Sequence, residues 1–394
     1  MFMVNKIGID LIPTQVNQKN KFDGGNEYAK RIFHEIYKKA KNQKIYCFYT
    51  SQKYLLPEIK DKCNDSNFEL IEINNADQLY NILEKFEIDK YYSALPNINF
   101  TFGKNIKYIY TIHGLRSIEM PTDKYEYLLA NSPKDLLKYI FKNVFLKSYI
   151  KKQKDKYQQF LLGNKNQLIV VPSLHTKYSI LEKFPELDSE DINVLYSPPK
   201  LANNNNNNNI NINKRFNLEG KKYFLLISGN RWRKNNFRAL KAIDQIYSQN
   251  KNTEIKTLLL GANKISKIKS KLVNKNKFIF AGYVKTEELE ELYKKAFLFI
   301  YPTLNEGFGY PPLEAMKYGT PVIASAISSV PEICGDAVLY FNPYSINEIK
   351  GRILQVVDNN DCQSKLKERG LEHYKNIKNK QNTMLDQLVE IILE

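Results

Sequence analysis

Short apolar runs alternate with helix-patterned stretches along this chain, and that alternation limits the folds open to it. The strand-like runs are 6–12, 44–50, 106–113, 167–173, 223–229, 255–261, 277–283, 296–302, 320–325 and 337–342. They are rich in β-branched and aromatic residues and bounded by Gly, Pro, Asn or Ser. Between them, 27–42 and 286–296 carry apolar residues three and four apart and lysines in the last turn, as helices do. Alternation of this kind predicts an α/β protein with parallel sheets covered by helices on both faces. At 394 residues and 43% hydrophobic, the chain is long enough for two domains of roughly 150–200 residues. Residues 203–209 are seven consecutive asparagines that follow Pro198–Pro199, and a new strand begins at Tyr223. Poly-Asn cannot bury a core. It reads as an inert expansion in a linker, 201–219, between domains at 1–200 and 220–375.

Chemistry concentrates in NEGFGYPPLEAMKYGTPVIAS, residues 305–325. A buried strand precedes it. Gly307 and Gly309 let backbone approach a ligand closely. Pro311 and Pro312 suit a helix's first turn, and Gly319 closes that helix. Glu306 is therefore expected in the loop at a strand's C-terminal end, and Glu314 about one turn into the helix. Ligands of open α/β sheets bind at this edge. Helix-start N–H groups favour phosphate, and two carboxylates can accept from polyol hydroxyls. A nucleotide sugar needs both. A bare pair of glutamates eight apart would mean nothing; the whole string is specific.

Elsewhere, Gly24–Gly25 opens a helix where backbone N–H groups can touch phosphate or acceptor; a plain turn also explains it. His113 ends a strand before Gly114, again on a ligand edge, and Arg116 follows. A strand-end histidine satisfied by backbone is the alternative. Cys47, Cys63, Cys334 and Cys362 lack paired spacing and read as reduced structural thiols of a cytosolic protein. No window approaches eighteen uncharged apolar residues, and the start, MFMVNKIGIDLIP, reads as a strand rather than a signal peptide. No Asp-x-Asp or histidine cluster is placed for a metal. The net charge of +17 favours polyanions, although abundant Lys and Asn also fit a base-composition bias. Within 134–156, Lys134, Lys138, Lys142, Lys147, Lys151 and Lys152 accompany Leu137, Ile140, Phe141, Val144, Phe145 and Tyr149. That is a basic amphipathic helix. It suits an anionic bilayer, or it packs on the N-terminal core with lysines outward. A nucleic-acid-binding protein is the competing class, yet no zinc-finger spacing, RNA-binding motif or recognition helix is present.

The string at 305–325, followed by SSVPEICGDAVLYFNP (328–343), resembles the nucleotide-sugar site of family 4 glycosyltransferases. YFLLISGNRWRKNNFRALKAI (223–243) and GYVKTEELEELYKKAFLFIYPT (282–303) resemble the segments leading to it. KIGID (6–10), FDGGNEYAKRIFHEI (22–36) and YTIHGL (110–115) match more loosely. The resemblance implies a GT-B fold: two Rossmann-like domains facing across a cleft, with a terminal helix, 376–394, returning to the N-terminal domain. It implies a retaining, metal-independent hexosyltransferase needing no cofactor beyond its nucleotide diphosphate sugar donor, GDP-mannose ahead of UDP-hexoses. The acceptor would be a glycan, lipid-linked if the basic helix meets a membrane, and the enzyme would lie on the cytoplasmic face of the plasma membrane, in surface polysaccharide synthesis. Glu306 would hold donor-sugar hydroxyls, with Gly307, Phe308, Gly309 and Tyr310 around the sugar or distal phosphate. Glu314 would accept from the ribose. Lys234, with Arg231 or Arg233, would neutralise the leaving diphosphate, Arg231 ahead of Arg233. His113 would lie near the reacting centre, and Gly24, Gly25 and Arg116 would touch acceptor or phosphate. Another activity on the same fold, such as a sugar-nucleotide epimerase or a phosphorylase, stays open.

Overall fold

A computed structural model describes residues 5–15, 24–74, 76–98, 105–201, 212–249 and 254–394. The asparagine run lies outside them. The chain forms two compact units. The first comprises residues 1–115, 151–202 and 378–394; the second comprises 116–150 and 203–377.

The first unit holds seven parallel strands: β1 (Lys6–Asp10), β2 (Lys44–Tyr49), β3 (Phe68–Glu72), β4 (Lys90–Ser93), β5 (Lys107–Thr111), β6 (Gln167–Val171) and β7 (Ile192–Val194). Their spatial order is β3-β2-β1-β4-β5-β6-β7. The second unit holds six more: β8 (Tyr223–Leu226), β9 (Lys256–Leu259), β10 (Phe278–Phe280), β11 (Leu298–Tyr301), β12 (Val322–Ser325) and β13 (Leu339–Phe341). They are ordered β10-β9-β8-β11-β12-β13, again all parallel. These are the two Rossmann-like sheets of the expected α/β class. Strands with near-continuous apolar runs, such as YFLL and LFIY, are buried along their whole length because helices cover both sheet faces. In each sheet the order reverses beside the first strand, between β1 and β4 and between β8 and β11. The crevice beyond the strand ends at that reversal is where such sheets take ligands.

The expected division of the chain needs two corrections. Residues 116–150, placed by sequence in a 1–200 domain, cluster with the second unit. They are tied there by Asp123, which takes two bonds from the Arg238 guanidinium at 3.1 and 2.8 Å, and by Tyr125 packed edge-on against Phe237. Part of the 201–219 linker is also structured: Ile212 is buried, in a short helix Ile212–Arg215 whose Arg215 pairs with Glu288 at 2.7 Å. The final helix, Asn360–Leu393, runs through the unit boundary. Its last turns place Leu385, Leu388, Val389, Ile392 and Leu393 in the core of the first unit, with Ile7, Ile36 and Ile45.

Candidate functional site

The second unit builds its site from the loops after β8 and β11, the two strands at the order reversal. After β8 the chain turns through Ser228, which has positive φ, and a short 3-10 turn, Trp232–Lys234. Asn235 follows in the left-handed region (φ 55°), which an asparagine tolerates better than most residues. Its amide donates to the carbonyls of Pro302 (2.9 Å) and Pro343 (2.7 Å), and its oxygen accepts from Arg238 (2.7 Å). All of these groups are buried. Together they fix the position of the preceding residue, Lys234.

Lys234 points at Glu306. Its ammonium lies 2.5 Å from Glu306 Oε1 and 3.1 Å from the Tyr301 hydroxyl. Thr303 Oγ1 donates to the same Oε1 at 2.8 Å, and Arg116 Nη2 stands 4.0 Å from Oε2. Burial alone would raise the carboxyl's pKa. The charges of Lys234 and Arg116 outweigh it and hold the group down at about 2. Burial lowers the pKa of Lys234, Glu306 works to raise it, and Arg116 and Arg231 lower it further. Glu306 is therefore a fixed anion and cannot serve as a proton donor near neutral pH. Two cations, Lys234 and Arg116, face the single Glu306 carboxylate, and that cluster carries surplus positive charge, which suits an anionic leaving group.

Serines that the sequence reading passed over shape the glycine turn. Glu306 N–H donates to Ser328 Oγ (2.9 Å), while Ser329 Oγ donates to the carbonyls of Glu306 (3.1 Å) and Phe308 (2.9 Å). Gly309 caps the helix Tyr310–Lys317 with φ 108°, a conformation that requires glycine. Phe308 and Tyr310 meet edge to face at 5.2 Å. At the far end, Gly319 (φ 68°) donates to the Met316 carbonyl and Thr320 donates to that of Ala315, a Schellman closure. Glu314 faces the neighbouring helix Thr286–Lys295, where the Tyr293 hydroxyl donates to it at 3.3 Å.

The segment 116–130 adds unexpected partners. Asn305 Nδ2 donates to Glu119 at 2.7 Å, and Arg233 Nε donates to the Met120 carbonyl at 3.1 Å. Arg233 also lies over the Trp232 ring, 4.4 Å from its centroid. Arg231 is exposed. Of the two arginines beside Lys234, Arg233 is thus bound into protein while Arg231 faces solvent. The second unit therefore gathers Arg116, Arg231, Arg233, Lys234, Glu306, the 307–310 turn and Glu314. Sequence could flag the motif glutamates and the basic run, but Thr303, Ser328 and Ser329 carry no such signal.

His113, Gly24 and Gly25 belong to the first unit. His113 Nε2 donates to the Ala94 carbonyl at 2.9 Å, and the Tyr28 ring packs edge-on against it at 4.6 Å. Gly24 and Gly25 begin the helix Gly24–Lys39, and a Cβ on Gly25 would strike Leu95 at 2.6 Å. A further residue of note is Asp10, at the end of β1. Burial pushes its carboxyl up to about 6, against bonds from Ser93 Oγ (2.7 Å) and Ile12 N–H (3.0 Å). It lines a cavity of about 220 Å³ with Ser93, Tyr91 and Tyr110. Among the described residues, no cluster of three or more His, Cys, Asp or Glu is arranged to hold a metal.

Comparison with known proteins gives this site a context. The family model for glycosyl transferases group 1 matches residues 208–373. The chain is 42% identical over 96 residues to the O-antigen chain mannosyltransferase B of Escherichia coli, covering 24% of this chain and 25% of that one. It is 31% identical over 182 residues to the O-antigen chain mannosyltransferase RfbU of Salmonella typhimurium, covering 44% and 46%. The matches thus span less than half the length of these relatives. Among solved structures, Anabaena Alr3699/HepE in complex with UDP and glucose superposes with a TM-score of 0.63 at 14% identity, over 98% of this chain and 99% of that one.

Proposed function

We propose that this chain, a group 1 glycosyltransferase over residues 208–373, moves a hexose or deoxyhexose from a nucleotide diphosphate sugar to a glycan acceptor in surface polysaccharide synthesis. The observation that carries the reading is the buried Lys234–Glu306 pair at the sheet reversal, with Arg116 beside it. Glu306, ionised and acceptor-only, binds hydroxyls of the donor sugar. Lys234 and Arg231 meet the diphosphate. Glu314, steadied by Tyr293, accepts from the ribose hydroxyls. As the anomeric carbon–oxygen bond breaks, its electron pair leaves with the diphosphate, and the fixed cations lower the energy of that charge. The acceptor hydroxyl attacks from the same face and gives its proton to the departing phosphate oxygen, so configuration is retained.

Mannose on GDP is the favoured donor, because the matched relatives are O-antigen mannosyltransferases. UDP is the alternative, as held by the Anabaena neighbour. The reaction runs without a divalent cation. A glycan acceptor carried on a lipid would place the enzyme at the inner face of the plasma membrane. Asp10, Ser93 and the tyrosines of the first unit's cavity offer the hydroxyl partners and ring faces that a sugar acceptor needs. The test is release of nucleoside diphosphate in EDTA from a panel of donors, with and without acceptor glycans, and NMR of the product's anomeric configuration. Acceptor-dependent release with retained configuration supports the reading. Turnover without any acceptor points to an epimerase, and inversion removes the front-face step.

A further inference from the structure

The helix Pro133–Val144 buries none of its residues. Sequence patterning left two orientations open for it. The structure places the apolar side outward: Leu137 is 66% exposed, Ile140 47%, Phe141 67%, Val144 68% and Phe145, just past its end, 49%. These positions are related by i, i+3, i+4, i+7 and i+8, so they form one continuous stripe. Phe141 and Phe145 pack into a common ridge, their tilted rings 4.6 Å apart. A contiguous row of large apolar side chains facing water marks a docking surface.

Charge decides what docks there. At about 100° per residue, Lys134 and Lys138 fall along one border of the stripe, and both are exposed. Exposed Lys147 follows in the next helix, Leu146–Leu162. Lys142, which sequence grouped with these lysines, is turned inward: it pairs with Glu126 at 2.6 Å and lies over the Trp232 ring at 5.5 Å. That bond anchors the helix to the second unit. The only acid of the helix, Asp135, lies on the side opposite the stripe, where it joins Ser132 in the N-terminal cap. The outward surface is thus apolar and cationic, with no anion along the stripe. No described helix is long and apolar enough to cross a membrane, and this one has twelve residues. Such a helix lies in the plane of an interface.

We propose that Pro133–Val144, with Phe145, docks this protein on an anionic lipid bilayer: the apolar ridge enters the acyl boundary, and Lys134, Lys138 and Lys147 meet the headgroups. The proposal does not depend on the transferase reading, since it rests on a surface remote in role from the Lys234–Glu306 pair. The helix directly follows a segment, 116–132, whose Arg116, Glu119 and Met120 contact that site. Docking would therefore hold the site at the membrane surface.

The experiment is flotation of the full chain with vesicles of pure phosphatidylcholine or with 30% phosphatidylglycerol added, at low and high salt. Wild type is compared with Leu137→Glu/Phe141→Glu and with Lys134→Glu/Lys138→Glu. All four side chains already face water, so both variants should melt with wild type, and this is checked. Wild type should float with anionic vesicles and be released by salt. The apolar double variant should lose at least tenfold in partitioning. The lysine variant should lose roughly fivefold or more per charge removed on anionic vesicles. Three results would overturn the proposal: no flotation of the folded wild type, flotation of both variants equal to that of wild type, or a dimer that dissociates only in the apolar variant without any vesicle binding. The last would make this face an interface between copies.

Discussion

Glu306 and Asp10 are both enclosed carboxylates, yet their surroundings drive them in opposite directions, and pH separates them. For Glu306, the folded pKa falls from 4.5 to about 2. Its stabilising contribution is complete above pH 4.5 and is lost as pH drops toward 2. Glu306→Gln should therefore cost about 1–3 kcal/mol at pH 7, a deficit that narrows in acid when urea melts are compared at pH 7 and pH 3. The same variant should lower kcat/KM about 100-fold, read from donor turnover. Because the group stays ionised, wild-type activity should show no inflection from it between pH 5 and 9. Asp10 has the opposite sign: its pKa rises from 3.8 to about 6. The folded state is favoured below pH 3.8 and loses that advantage as pH rises through 6. Asp10→Asn keeps an acceptor for Ile12 N–H and offers a donor to Ser93. It should gain about 1–2 kcal/mol at pH 8 and nothing at pH 3.5 by the same melts. A gain at acid pH would contradict the desolvation argument. If Asp10 also binds acceptor, the variant should raise the acceptor KM while leaving donor affinity unchanged.

At the scale of elements, the loops after β8 and β11 are held by groups far apart in sequence. The Arg238–Asp123 pair is buried and spans 115 positions. Removing either partner leaves an unpaired buried charge, so Arg238→Ala or Asp123→Ala should each cost about 3–5 kcal/mol. The double variant should cost less than the sum, as denaturant melts would report. Gly309→Ala should strain the turn by about 1–3 kcal/mol, since its φ of 108° excludes a side chain, and should weaken donor binding. Elements of this kind were legible in sequence only where one physical signal dominated. The ten strands expected from apolar runs are present, but β3 (FELIE), β4 (KYYS) and β7 (INV) escaped. β3 and β7 are sheet edges, where half-exposed positions admit Glu and Asn and blur the apolar pattern. β4 is central but built mainly from two tyrosines, Tyr91 and Tyr92, whose hydroxyls hide their burial. The motif glutamates and the glycine turn were readable because glycine and proline dictate local geometry. The break at Phe145 between the two basic helices was not, since no Gly or Pro marks it. Nor was the attachment of 116–150 to the second unit, because pairings such as Asp123 with Arg238 carry no local signature.

For the whole molecule, two sheets rest on separate apolar cores and share one strand order over six strands, the first sheet adding β7 at its edge. Each ligand edge lies where the strand order reverses, and the motif read from sequence falls at one of them. The charge of +17 is used unevenly: a few cations crowd Glu306, others border the exposed ridge of Pro133–Val144, and many pair on the surface. Charge alone would have allowed polyanion binding of any kind; the buried Lys234–Glu306 pair is where the proposed donor diphosphate would be met, and the ridge of Pro133–Val144 is where the proposed bilayer would be met. The most direct measurement is a thermal-shift panel of GDP-, UDP-, dTDP- and ADP-sugars in EDTA on wild type, Arg231→Ala and Glu314→Ala. One nucleotide should raise the midpoint, corresponding to about 2.7 kcal/mol at a hundredfold excess over Kd, and both variants should blunt the rise. No shift with any donor, in a protein that melts cooperatively, would contradict a nucleotide-sugar site at the β8–β11 reversal.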